Sequence, residues 1–227
     1  MKLKTTALAS TTFLICFWAT AASAADVAAP APPKPTNTIS IESAPEFYDL
    51  AGTGHGAGDL NDYYFKLGLS HSFDNNLVLG GSLQYTQRAP NGSGGSSVDQ
   101  AEASLAYKLK LGDSVTLTPG VLLGYAFGDQ PKINPANNTT ADAYWAVTLN
   151  GDLKLNSHWT WNAFSLRYRN AFDYTWITPK IATGVTYKID DYDAVYLSVG
   201  NAWKDTGNGK GLLGDKYNIS VGYKYSF

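Results

Sequence analysis

Tyr217-Asn218-Ile219-Ser220-Val221-Gly222-Tyr223-Lys224-Tyr225-Ser226-Phe227 alternates without a break. Apolar or aromatic side chains stand at Tyr217, Ile219, Val221, Tyr223, Tyr225 and Phe227. Small or polar ones stand at Asn218, Ser220, Gly222, Lys224 and Ser226. A period of two sends the two sets to opposite sides of an extended chain, so this stretch is a strand with one greasy and one wet face.

The same period recurs upstream. It predicts strands over residues 63–73, 77–88, 100–111, 115–127, 143–155, 159–169, 177–189 and 194–203, besides 217–227. Tight connections carry turn residues: Asp74-Asn75-Asn76, Gly112-Asp113-Ser114, Asn156-Ser157-His158 and Asp190-Asp191-Tyr192. The connections between them, over residues 89–97, 128–141, 170–175 and 204–215, are mostly longer and rich in Gly, Asn and Thr. Short and long links alternate, as they do in membrane barrels with short periplasmic turns and longer outer loops. Bacterial single-chain barrels have an even strand number. A tenth strand is therefore expected over residues 39–50, with poor alternation and an interrupting Pro45; eight strands is the alternative.

The faces separate charge from grease. In the fourth strand Val115, Leu117, Pro119, Val121, Leu123, Tyr125 and Phe127 share one side. Across the clear strands the apolar side holds no Asp, Glu, Lys or Arg. The opposite side holds Lys66, Arg88, Glu102, Lys108, Lys110, Asp152, Lys154, Lys180, Lys188 and Lys224 among Gly, Ser, Thr and Ala. An Arg or Lys facing lipid at mid-bilayer costs about 2–4 kcal/mol, which accounts for such segregation. The strand over 159–169 changes phase: Trp159 and Trp161 set one, Phe164, Leu166 and Tyr168 the other. A β-bulge near Asn162-Ala163 repairs it and turns Arg167 and Arg169 inward. A lipocalin-like soluble barrel would reverse the faces. Aromatics gathered near both strand ends, as at membrane interfaces, argue against it.

The amino terminus is consistent with export. Lys2 and Lys4 precede an apolar or small stretch over residues 7–21, and Ala22-Ser23-Ala24 is a small-x-small site. Residues 1–24 read as a secretory signal peptide, cut between Ala24 and Ala25. Cleavage removes the only Cys and the only Met, and with Lys2 and Lys4 gone the formal charge of −2 becomes −4. No disulfide, cysteine metal site or nucleic-acid partner is then expected. Residues 25–38, with Pro30, Pro32, Pro33 and Pro35, read as an Ala/Pro-rich linker, leaving 39–227 as the barrel. No apolar run reaches helical membrane-spanning length, so a closed barrel is the spanning solution that satisfies the backbone.

The final strand, with Gly222, Tyr223, Tyr225 and a terminal Phe227, resembles the C-terminal assembly signal of Gram-negative outer-membrane β-barrel proteins. The mature chain resembles their small porin-like families in architecture. That resemblance implies an all-β, closed, up-and-down antiparallel barrel in the bacterial outer membrane. It implies contact with outer-membrane lipid and lipopolysaccharide, escort by periplasmic chaperones and insertion by the barrel-assembly machinery. An envelope-structural or surface-interaction role without catalysis is the expectation, the surface partner being unspecified.

Lumen charges decide between a plug and a pore. Buried charges are usually paired, so of the lumen charges Lys66, Lys108, Arg167, Arg169, Lys180 and Lys188, some are expected to pair with Glu102 and Asp152 and waters to satisfy the remainder. The alternative is a narrow, anion-leaning channel whose field is set by Arg167, Arg169, Lys180, Lys66 and Lys108. An outer-rim hydrolase is the third class. His71 and His158 sit near inner turns. His55 lies in the Gly-rich outer loop, with Asp59 and Asp62 nearby in sequence as candidate partners of a base, but no nucleophile or metal spacing accompanies it. No catalytic, metal or cofactor-binding residue is therefore assigned.

Overall fold

The computed structural model describes residues 36–48, 58–88, 98–128, 141–205 and 211–227. The expected signal peptide, most of the linker and His55 lie outside these residues. The strands are β1 (Asn37–Tyr48), β2 (Leu60–Ser72), β3 (Leu77–Arg88), β4 (Asp99–Tyr107), β5 (Leu109–Leu111), β6 (Val115–Phe127), β7 (Ala141–Lys154), β8 (Trp159–Ala171), β9 (Lys180–Lys188), β10 (Asp193–Asp205) and β11 (Leu212–Ser226). β4 and β5 are one stave broken at Lys108, whose N–H bonds the turn carbonyl of Asn76 at 2.9 Å. Each stave pairs antiparallel with the next in sequence, and β1 pairs with β11. The result is a closed ten-stave up-and-down barrel, with no unpaired edge strand among the described residues.

The expected first strand exists, and its Pro45 is accommodated. Pro45 pairs with Tyr63 of β2, while the ladder to β11 omits Ala44 and Pro45. A residue without an N–H is tolerated where a ladder lapses. The seam at the inner end is tied by the Phe227 carbonyl, which accepts from the N–H groups of Thr36 and Asn37 at 3.2 and 3.0 Å. The strand expected over 177–189 starts later, at Lys180. Pro179 breaks its regularity, although its carbonyl still accepts from Trp203 N–H at 2.9 Å.

The inner turns use the residues that the sequence marks. Asn76 takes φ 68° and Gly112 φ 76°, the left-handed region open to Asn and Gly. The Asp190 carboxylate accepts from the N–H groups of Tyr192 and Asp193 at 2.7 and 2.8 Å. Asn156 serves His158 and Trp159 in the same way, both at 2.9 Å.

The anticipated bulge is present in β8. Gly151 faces Phe164 and Asp152 faces Asn162, leaving Ala163 as the extra residue. Downstream of it Arg167 and Arg169 enter the lumen, and Leu166 and Tyr168 face outward. Most large side chains of the expected apolar side are exposed on the outer wall. Leu123 is 62% exposed, whereas its neighbour Leu122 is 8% exposed and packs with Ala126, Tyr144 and Ala146 inside. A lipocalin-like barrel would show the reverse.

Candidate functional site

The lumen is a polar interior built by the even-numbered positions of most staves. Its centre is Glu102 on β4. Arg167 of β8 donates to Glu102 Oε1 at 2.7 Å, and Tyr144 of β7 donates to the same oxygen at 2.7 Å. Lys66 of β2 and Ser82 of β3 donate to Oε2 at 3.3 and 3.2 Å. Four donors fill one carboxylate, so the charge is both paired and hydrogen-bonded. The bridge spans the interior from β2 to β8. Further round, the Lys180 ammonium of β9 approaches the Tyr64 ring of β2 at 5.9 Å from across the lumen.

Glycines make room for the rings in this layer. Tyr144 lies over Gly124 of β6, and Tyr196 of β10 lies over Gly222 of β11, so closely that a Cβ at either glycine would enter the ring. Gly222 thus has a local packing role in addition to its place in the terminal strand. Tyr64 and Tyr196 both donate to Glu42 of β1, at 2.5 and 2.7 Å. Asn218 donates to the Tyr64 hydroxyl at 3.1 Å.

Above this layer, towards the longer loops, lies a cavity of about 310 Å³. Arg167, Arg169, Trp176 and Lys180 line one wall; Glu46, Asp62 and Lys216 line the other. Lys216 pairs with Glu46, and with Asp62 at 3.5 Å. Arg169 is held by neutral groups. Its Nε donates to Thr178 at 2.7 Å, its Nη1 to Gln100 at 3.4 Å, and its guanidinium lies 3.8 Å from the Trp176 ring centre.

The remaining lumen charges expected from the sequence are more scattered. Asp152 accepts from Asn162 at 2.8 Å and, among the described residues, forms no ion pair. Lys108 donates to Ser72 at 3.0 Å near the inner end. Lys188 pairs with Asp191 of the adjoining turn at 2.6 Å, at the inner mouth rather than in the central bridge. Of the terminal-strand residues, Tyr223 bonds Asp193, and Tyr225 and Phe227 stack at 5.9 Å between centroids on the exposed side. His71 bonds Asn37 at 2.9 Å, and His158 bonds the Lys188 carbonyl at 2.9 Å. Among the described residues no cluster of three His, Cys, Asp or Glu could hold a metal ion.

Sequence reasoning missed Glu42, Glu46, Lys216 and the lumen tyrosines Tyr64, Tyr144 and Tyr196, and named Asp62 only as a neighbour of His55. Asp62 and Lys216 lie one residue before the expected strands at 63 and 217, and continue their polar phase. The ladders then slip: Asn61 is extra between Leu60 and Asp62, and Asp215 between Gly214 and Lys216. Extending each alternation by one residue would have found both charges.

No family model and no curated protein matches the chain. Among solved structures, the NanC porin matches at 12% identity and TM-score 0.49, over 83% of this chain and 100% of its own. An outer-membrane channel from Pseudomonas putida F1 matches at 11% and 0.48, over 87% and 97%. The KdgM porin matches at 18% and 0.42, over 83% and 99%. These likenesses are of barrel to barrel and assign no role to this chain.

Proposed function

We propose that this chain is an integral outer-membrane β-barrel with a closed lumen and a non-enzymatic, envelope-structural or surface-interaction role. Leu, Val and aromatic side chains cover its outer wall, an apolar surface far larger than soluble monomers leave in water. Lipid and lipopolysaccharide would cover that wall. The observation that carries the closed lumen is the bridge of Lys66, Arg167 and Tyr144 on Glu102, with Lys180 reaching towards Tyr64 from the far side. Interiors of barrels this small are largely filled by their own side chains.

Single-channel recording in a planar bilayer tests this. The closed reading predicts a silent membrane from protein shown to be folded. Steady, anion-leaning unitary currents would replace it with the narrow-channel reading.

The terminal strand supports insertion by the barrel-assembly machinery after chaperone escort. Removing Phe227 takes away the carbonyl partner of Thr36 and Asn37 at the seam. The expected result is less heat-modifiable protein in the outer membrane. Wild-type amounts would speak against an assembly role for this residue.

A further inference from the structure

We infer that the cavity at the outer end is a binding site for a small oxyanion, a carboxylate or phosphate group, held between Arg169 and Lys180. The inference rests on the closed-lumen reading, because a closed floor makes this cavity a blind receptor rather than the mouth of a path.

The charges leave this wall in cationic excess. Glu102 is filled by Lys66, Arg167, Tyr144 and Ser82. Glu46 and Asp62 on the opposite wall are ion-paired with Lys216, and Glu46 attracts Lys180 only from beyond ion-pair distance. Among the described residues, no carboxylate lies within 4.0 Å of Arg169 or Lys180. Lys180 also stands directly beside Arg167 in the β8–β9 ladder, so a like charge is its neighbour. Two half-buried cations next to a third are unfavourable unless an anion joins them.

The geometry is that of a prepared site. Thr178, Gln100 and the Trp176 ring fix the Arg169 guanidinium through neutral contacts. They hold its plane without neutralising its charge. A fixed guanidinium presents parallel N–H groups that match an oxyanion, and little side-chain entropy remains to be lost on binding. Lys180 supplies a second, more mobile charge on the same wall. The cavity's volume of about 310 Å³ limits the ligand to a small molecule or to one headgroup of a larger one.

The shared chemistry is an oxyanion, and its source is either a soluble solute or a lipopolysaccharide phosphate. The test uses the full barrel, purified in detergent free of lipopolysaccharide. It is titrated with inorganic phosphate at constant ionic strength in chloride, by calorimetry and by tryptophan fluorescence, since Trp176 lies against Arg169. Saturable binding is expected, weakened at least tenfold in Lys180→Gln and in Arg169→Gln. Lys154→Gln, at the inner end of β7, should leave it unchanged. Heat-modifiability of each variant confirms its fold. If added lipopolysaccharide competes with phosphate, the headgroup is the source; if it does not, a soluble anion is, and either result supports the site. No saturable heat in the wild type, or equal affinity in both folded cavity variants, would overturn the proposal. Ion currents from a preparation that still binds phosphate would retire the closed lumen and keep the site.

Discussion

Glu102 shows how a single side chain organises the interior. A carboxylate that is only 8% exposed in its side chain is tolerable because four donors surround it. Removing Arg167 leaves Lys66, Tyr144 and Ser82, so the charge is weakened rather than orphaned. Arg167→Ala should therefore lower stability by about 1–3 kcal/mol, the range for losing one partner of a buried polar group. Urea unfolding from lipid vesicles would measure it, and no change would mean that the bridge is not a structural tie. At the inner turn, two backbone N–H groups, from Tyr192 and then Asp193, hold the Asp190 carboxyl below the ordinary aspartate value of 3.8. The sign follows: a lowered folded value stabilises the turn above pH 3.8, and that contribution is lost as pH falls through the lowered value. A carboxyl titration followed by NMR should place Asp190 below the ordinary aspartate value; an ordinary value would show that its backbone bonds do not persist. Residues of this kind were legible unevenly. Parity places Glu102 inside, and parity corrected by the bulge near Asn162-Ala163 places Arg167 and Arg169 there. It does not place Glu42 and Glu46, because Ser43 and Pro45 interrupt the apolar phase of β1 that would have revealed its other side.

At the scale of the strand, the alternation carried most of the information, and its lapses had identifiable causes. The phase change between Trp161 and Phe164 required one extra residue, and Ala163 supplies it. The delayed start of β9 follows from Pro179, which cannot donate to a ladder. The break at Lys108 left no trace in the pattern, since Tyr107, Leu109 and Leu111 keep the phase across it. What the pattern cannot encode is which stave meets which across the lumen. The Arg167–Glu102 contact joins residues 65 apart in sequence and depends on barrel closure. One substitution tests the faces directly. Val121 is 55% exposed on the middle of β6, so Val121→Arg should cost roughly 2–4 kcal/mol in a bilayer. Folding titrations in vesicles would show it. Tolerance within about 0.5 kcal/mol, the range of ordinary surface substitutions, would mean that water bathes this face.

For the whole molecule, the proposed arrangement is a sealed cylinder with hydrocarbon around its apolar exterior and the charges inside. Closure through β1 and β11 satisfies the edges that an open sheet would expose to lipid. On the proposed reading the bridge at Glu102 closes the interior below the charged cavity at the long-loop end. The most direct test of this account is spin-label accessibility on the reconstituted barrel. Single cysteines replace Val121, Leu123 and Tyr125 in a chain whose Cys16 is changed to Ser. The account predicts that molecular oxygen, which concentrates in hydrocarbon, relaxes all three labels far more than an aqueous nickel chelate does. Greater relaxation by the chelate at these positions would contradict it.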